Sequence, residues 1–125
     1  MLLIDKQSNV PIYEQIIKQF ETLIVRHVLK PDEMLPSVRK LSVDLSINPN
    51  TLQKAYTELE ARGICYSEAG KGRFVASNAR EIIKKDKDKS IKKLQESITK
   101  LAQMDVGLEE ILGIVRSTFE KVMQN

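Results

Sequence analysis

Ile12, Ile16, Phe20, Leu23 and His27 follow one another at spacings of 4, 4, 3 and 4. That rhythm puts them on one face of an amphipathic helix. Asn9 is its candidate N-cap, and Pro11 suits a first turn, where a missing N–H leaves no bond unmade. The helix is expected to end near Val28–Lys30, before Pro31. A second, short helix is predicted from Ser37 to Leu45, with Ser37 as cap and Val38, Leu41 and Leu45 on its apolar side. Asn48-Pro49 then opens a third helix, whose inward stripe is Leu52, Ala55, Tyr56 and Leu59. Gly63 is its stop signal. Ile64-Cys65-Tyr66 and Phe74-Val75 read as two short strands around a tight connection, Glu68 to Gly72. Helix, short helix, tight turn, helix, hairpin is the order of a winged helix-turn-helix, a known way to fill a DNA major groove.

The chain changes texture after Ser77. No Gly or Pro occurs between Ser77 and Val106, and Lys, Asp, Glu and Ile dominate up to Lys93. Ile91, Leu94, Ile98 and Leu101 recur at spacings of 3, 4 and 3, a coiled-coil-like seam. A helix from Ala79 to Met104 would be about 39 Å long at about 1.5 Å per residue. Gly107 is expected to interrupt it. Leu108, Ile111, Leu112, Val115, Phe119 and Val122 form a further amphipathic stripe. Two helices have too few neighbours to bury such stripes, so a second copy of the chain is the expected cover. The fold class is therefore mainly α with an α+β head: residues 1–77 as the winged domain and 78–125 as a helical dimerisation tail.

Composition narrows the function. The 125 residues are 42% hydrophobic and 30% charged, with no Trp, one Cys and one His. One Cys excludes an internal disulfide and a multi-thiolate zinc cluster. One His excludes a multi-histidine metal site and leaves a Ser-His or Cys-His enzyme little choice of base. No run reaches 18 apolar residues, so no membrane span is expected. The opening MLLIDKQSNVPIYEQ has no basic region followed by an apolar one, so no secretory signal is expected either. No metal, cofactor or catalytic residue is predicted. Net charge is +3, and the chain divides at Asn78 into 10 basic with 9 acidic and 10 basic with 8 acidic residues. Neither part is a basic block, so nucleic-acid binding has to be argued from where particular residues sit.

The string LPSVRKLSVDLSINPNTLQKAYTELEARGICYSEAGKGRFV, residues 35–75, resembles the DNA-binding head of the GntR family of bacterial transcription regulators. The family pattern is a Leu-Pro-Ser-x-Arg lead-in, an Asn-Pro-Asn-Thr helix start, a Lys-Ala-Tyr-x-x-Leu-Glu continuation and a Gly-x-Gly-x-Phe-Val wing. All four stand here in order, and Pro-Ile-Tyr-Glu-Gln before them also fits. With 47 residues after Asn78, the tail is similar to that of the YtrA-type branch, a two-helix dimerisation element. Three positions depart from the pattern. Asp32 and Ser46 replace frequent glycines, and both are themselves turn residues. Arg73 replaces the usual Thr of the wing.

Each candidate contact has a plainer reading beside it. The resemblance implies that Arg39 reaches DNA at the groove edge, and its planar fork suits base or phosphate. The plainer reading is a solvated or ion-paired arginine. Ser37 can cap, contact phosphate, or both. Asn48, Asn50, Thr51, Gln53 and Lys54 stand at or near the start of the third helix, where free N–H groups and the positive dipole end favour phosphate. Asn50 and Gln53 match adenine's edge, Thr51 a thymine methyl or phosphate, and Lys54 base or phosphate; Asn48 serves mainly as a cap. Tyr56 can complete the core with its ring while its hydroxyl reaches a phosphate. Lys71, Gly72 and Arg73 are read as the wing tip, with Gly permitting close backbone approach and a basic side chain able to enter a minor groove. The plainer reading is an ordinary hairpin turn. Cys65 reads as a small core residue, His27 as a structural histidine, and the 84–93 lysines as a solvated face weakened as a DNA arm by Asp86 and Asp88.

The expected function is a homodimeric, sequence-specific repressor in a bacterial cytoplasm, bound to a palindromic double-stranded DNA operator with half-sites about one helical turn apart. The resemblance adds that targets in this branch are often transporter operons. No effector is legible: the tail alone is too small to enclose a typical pocket. A protein-interaction module is the alternative, disfavoured by polar Asn50, Gln53 and Lys54. An enzyme is the weakest, since Gly70-Lys71-Gly72 lacks the length and Ser/Thr ending of a phosphate-binding loop.

Overall fold

The computed structural model describes residues 2–123. Its first helix, α1 (Ile12–Val25), buries Ile16, Ile17, Phe20 and Ile24. The predicted face is therefore rotated slightly: Ile12 and Leu23 are half-buried flanks, and His27 is off the helix altogether, exposed at φ 61°. The helix ends earlier than periodicity suggests because the chain closes on itself. The His27 N–H bonds the Ile24 carbonyl at 3.1 Å and the Val28 N–H bonds the Leu23 carbonyl at 2.9 Å, a Schellman closure with His27 in the left-handed position. At the other end Pro11, not Asn9, holds the cap position, and no side chain caps the helix. Two glutamines of α1 instead tie down the preceding segment. Gln15 bonds both the N–H and the carbonyl of Asp5, each at 2.9 Å. Gln19 does the same for Leu3, and Leu2 is buried beside them.

α2 (Val38–Leu45) and α3 (Pro49–Ala61) start on the predicted caps. Ser37 Oγ accepts the Lys40 N–H at 3.1 Å and Asn48 Oδ1 accepts the Asn50 N–H at 2.8 Å. The turn between them is another Schellman closure, with Ser46 left-handed at φ 54° and Ile47 buried behind it. α3 is the hub of the core: Leu52, Ala55, Tyr56 and Leu59 are all buried, and the Tyr56 ring meets Phe20 of α1 edge-on at 5.6 Å. Gly63 ends it at φ 79°, where a side chain would also press on Ile82 at 3.3 Å.

The wing is β1 (Cys65–Glu68) and β2 (Gly72–Val75), antiparallel, with Cys65 opposite Val75 and Ser67 opposite Arg73. β2 also has a partner on its far side. The Asp32 N–H bonds the Val75 carbonyl at 2.7 Å, the Val75 N–H bonds the Glu33 carbonyl at 2.9 Å, and the Leu35 N–H bonds the Arg73 carbonyl at 2.8 Å. The segment leading into α2 is thus laced to the wing through an isolated bridge between Met34 and Phe74. Asp32 turns into this ladder at φ 64°, and its Oδ1 accepts the Tyr66 hydroxyl at 2.8 Å.

The remaining helices are α4 (Ala79–Gln103) and α5 (Leu108–Met123). Two compact units result, one up to Lys84 and one from Lys85. The start of α4 belongs to the first unit, where Ala79 and Ile83 join the core cluster. In the second unit α4 is ended by Asp105 at φ 64° rather than by Gly107, with the Val106 N–H on the Leu101 carbonyl at 3.0 Å. Gly107 instead begins α5, its carbonyl accepting the Ile111 N–H at 3.1 Å. Ile111 is the buried apolar residue here among the described residues, while Ile98 and Leu101 are half-buried. Ile91, Leu94, Leu108, Leu112, Val115, Phe119 and Val122 are exposed.

Candidate nucleic-acid interface

The first turn of α2, one side of α3 and the tip and first half of β2 in the wing border an open groove of about 670 Å³, lined among others by Ser37, Lys40, Gln53, Tyr56, Lys71, Gly72 and Arg73. It exists because three local features agree: the Ser37 cap fixes where α2 begins, the Met34 ladder fixes that start against β2, and Tyr56 pins it to α3. The Tyr56 hydroxyl donates to the Pro36 carbonyl at 2.7 Å. Burial raises its pKa far above the ordinary value, a shift that Arg73 opposes and Cys65 adds to.

The predicted contacts fall into two groups. Arg39, Asn50, Gln53, Lys54, Lys71 and Gly72 are exposed, Thr51 is half-buried, and Ser37 and Asn48 are exposed caps. Arg39 has no ion pair among the described residues. Gln53 reaches Thr57 at 3.3 Å. The Lys54 ammonium sits 3.9 Å above the Tyr13 ring, a contact that orients its stem without neutralising its charge. Lys71 is held 3.7 Å from Glu68, a solvent-exposed pair that yields readily to a phosphate.

Tyr56 and Arg73 form the second group. Tyr56 is 1% exposed, and its one phenolic proton is already donated. A phosphate, which only accepts, finds no free donor there. Arg73 is not at the wing tip, which is Ala69, Gly70 and Lys71. It lies within β2 with its guanidinium 5.3 Å from the centre of the Tyr56 ring and its Nε 3.5 Å from Glu60 Oε1. That Nε is shielded from solvent and makes no hydrogen bond in this arrangement. Gly72 needs to be glycine for its φ of 131°; a side chain there would only make an ordinary contact with the exposed Met34 side chain, 3.4 Å from Sδ.

Lys40 is the groove residue that sequence reasoning passed over. It stands one residue past Arg39, and its N–H is the one that Ser37 caps. Cys65 is buried, as expected of a core thiol, and burial pushes its pKa up from 9.0 to about 11, with Glu60 raising and Arg73 lowering it. Among the described residues no group of His, Cys, Asp and Glu could hold a metal ion, and no helix is long and apolar enough to cross a membrane.

The sequence model of the bacterial regulatory proteins, gntR family, matches residues 12–75, from the start of α1 to the end of the wing. The chain belongs to the GntR family. It is a DNA-binding transcription regulator of the helix-turn-helix type and not an enzyme. Among curated GntR relatives, the transcriptional repressor YtrA of Bacillus subtilis is 40% identical over 112 residues, covering 89% of this chain and 86% of its own. Among solved structures, a transcriptional antiterminator from Listeria monocytogenes is similar at 33% identity and a TM-score of 0.65, covering 94% of this chain and 89% of its own. The DNA-binding domain of AraR in complex with operator ORX1 is similar at 28% identity and a TM-score of 0.55, covering 60% of this chain and 96% of its own.

Proposed function

We propose that the chain is a homodimeric repressor, with residues 1–77 reading a palindromic operator and residues 78–125 joining two copies. Bases are read by Asn50, Thr51, Gln53 and Lys54 at the start of α3. Arg39, Lys40, Ser37 and Lys71 hold the phosphates on either side of the groove. The observation that carries this reading is the polar surface around that groove: Ser37, Lys40, Gln53 and Lys71 line it between α2, α3 and the wing, and Arg39, Asn50 and Lys54 are exposed on the same two helices. Near full-length likeness to a repressor supports the regulatory sign, and the operator complex of AraR supports DNA as the ligand of this kind of head. Exposed apolar positions on the second unit support pairing, with Leu94 53% and Phe119 64% exposed. Surfaces of that kind are covered in association. A palindrome follows from two-fold pairing, because each head then reads the same half-site. Genes for transporters are the proposed targets, and a cytoplasmic location accompanies the role.

The test is selection of bound duplexes from randomised DNA with purified protein, repeated at two salt concentrations. A salt-resistant palindromic motif supports the reading. Weak binding to every fragment, erased by salt, refutes sequence-specific repression. Arg39→Ala then tests the contact list: losing one phosphate contact lowers the salt slope of binding by about 0.9. An unchanged slope and affinity remove Arg39 from the interface.

A further inference from the structure

Both strands of the wing send a side chain to one carboxylate on the last turn of α3. Ser67 Oγ donates to Glu60 Oε1, and the Arg73 guanidinium pairs with the same oxygen at 3.5 Å. Ser67 and Arg73 are cross-strand partners, so the two contacts form one clamp. The Arg73 guanidinium also lies over the Tyr56 ring, 5.3 Å from its centre, and the Arg73 backbone carbonyl accepts the Leu35 N–H at 2.8 Å. One residue therefore touches the wing, the recognition helix and the strand leading into α2. Its side chain is 23% exposed, facing into the groove floor rather than out beyond the wing.

We propose that Arg73 is a positioning residue for DNA recognition: it sets the distance of the wing from α3 and offsets the charge of the Glu60 carboxylate, and it does not itself bind DNA. This rests on the proposed function. The physical need is local. Arg73 lines the groove proposed to hold phosphates, Glu60 is 3.5 Å from its Nε, and an unpaired carboxylate that close repels the duplex. A guanidinium suits the task because its plane can lie over an aromatic ring while its edge faces a carboxylate. The Thr usual at this position in the family can do neither.

The experiment uses the full chain and the duplex that the wild-type protein selects from randomised DNA. Arg73→Thr is expected to lower affinity for that duplex roughly fivefold by leaving Glu60 unpaired. Glu60→Gln in the same background is expected to restore affinity to within about threefold, since the glutamine amide keeps an oxygen for Ser67 and the pair is again neutral. The Glu60→Gln/Arg73→Thr protein has the net charge of the wild type, so its salt slope should match the wild-type slope. A slope shallower by about 0.9 in the double variant, without rescue, means that Arg73 holds a phosphate and overturns the inference while leaving the proposed function intact. Arg73→Met, which keeps a long unbranched side chain beside Tyr56 without the charge, replaces Arg73→Thr if the latter loses its thermal transition. Failure of the wild-type protein to select any duplex overturns both readings.

Discussion

Replacing Tyr56 with Phe separates a core role from a DNA-contacting one. The substitution removes one oxygen and keeps the ring, so the edge-on contact with Phe20 at 5.6 Å survives. What is lost is the 2.7 Å bond to the Pro36 carbonyl. A typical buried hydrogen bond contributes about 1 kcal/mol net, rising toward about 3 kcal/mol where the abandoned acceptor stays dry. Pro36 is half-buried, so water reaches its carbonyl in part, and a loss of about 1–2 kcal/mol is expected. For a unit of this size each kcal/mol moves the melting temperature by about 4–8 °C. The assay is a urea or thermal transition at fixed protein concentration, paired with a titration of the selected duplex. Stability should fall and affinity should change by less than about threefold. The opposite pattern refutes the reasoning. An unchanged transition with affinity weakened about tenfold or more would place the hydroxyl on a phosphate, since a hydrogen bond to a charged group is worth about 1.5–3 kcal/mol.

Ser46→Gly should raise stability by about 0.5–1 kcal/mol, because a left-handed serine costs about 1–2 kcal/mol and the added unfolded-state freedom of glycine offsets only part of that; a lower urea midpoint would contradict it. Leu94→Asp should yield monomers in sedimentation velocity, and persistent dimers would place the pairing surface elsewhere. Raising the pH should destabilise the head in a defined window. The Cys65 thiol has its folded pKa raised from 9.0 to about 11, so its contribution is complete below pH 9 and is lost as pH rises through 11, by at most about 2–3 kcal/mol. Urea midpoints measured across that range should begin to fall near pH 9. Cys65→Ala should postpone the fall until Tyr56, also raised, begins to titrate.

The starts of α2 and α3 were legible in the sequence, while the start of α1, which has no side-chain cap, and the ends of α1 and α4 were less so, for a physical reason. A start is written in the residue that makes the bond: Ser37 and Asn48 cap because their own oxygens reach the next N–H groups. An end is written in the residue after the turn. Ile47 and Ile64 follow the left-handed Ser46 and Gly63, and both are buried. At these two turns burial of the next apolar residue goes with the reversal; after His27 the next residue, Val28, is exposed and it is Leu29 that is buried. His27 and Asp105 escape a reading that takes glycine as the stop signal, and Gly107 attracts that reading although it begins a helix. The second strand partner of β2 was hidden differently. Residues 32–35 show no alternation, and their pairing is set by the wing that lies about forty positions later in the chain.

The same logic accounts for the two candidate residues that the fold draws inward. That polar residues at a helix start would be exposed could be read from spacing, since nothing later in the chain reassigns them. Tyr56 and Arg73 could not, because each has two chemically acceptable destinations and only tertiary structure chooses. For Tyr56 the choice is made by Pro36, 20 positions earlier; for Arg73 it is made by Glu60 across the wing. Asp32 and Ser46 show the converse. Both depart from the family's glycines, yet both are left-handed, at φ 64° and 54°. A glycine adopts that conformation without strain, and Asp32 and Ser46 hold it at a cost. At Asp32 the substituted side chain has acquired a task that glycine cannot perform, accepting the Tyr66 hydroxyl. Asp32→Gly should therefore relieve the turn and release the wing at once. Its net effect on stability should be smaller than that of Ser46→Gly, where among the described residues no side-chain bond opposes the gain; equal rises in the two urea midpoints would show that the Tyr66 bond contributes nothing.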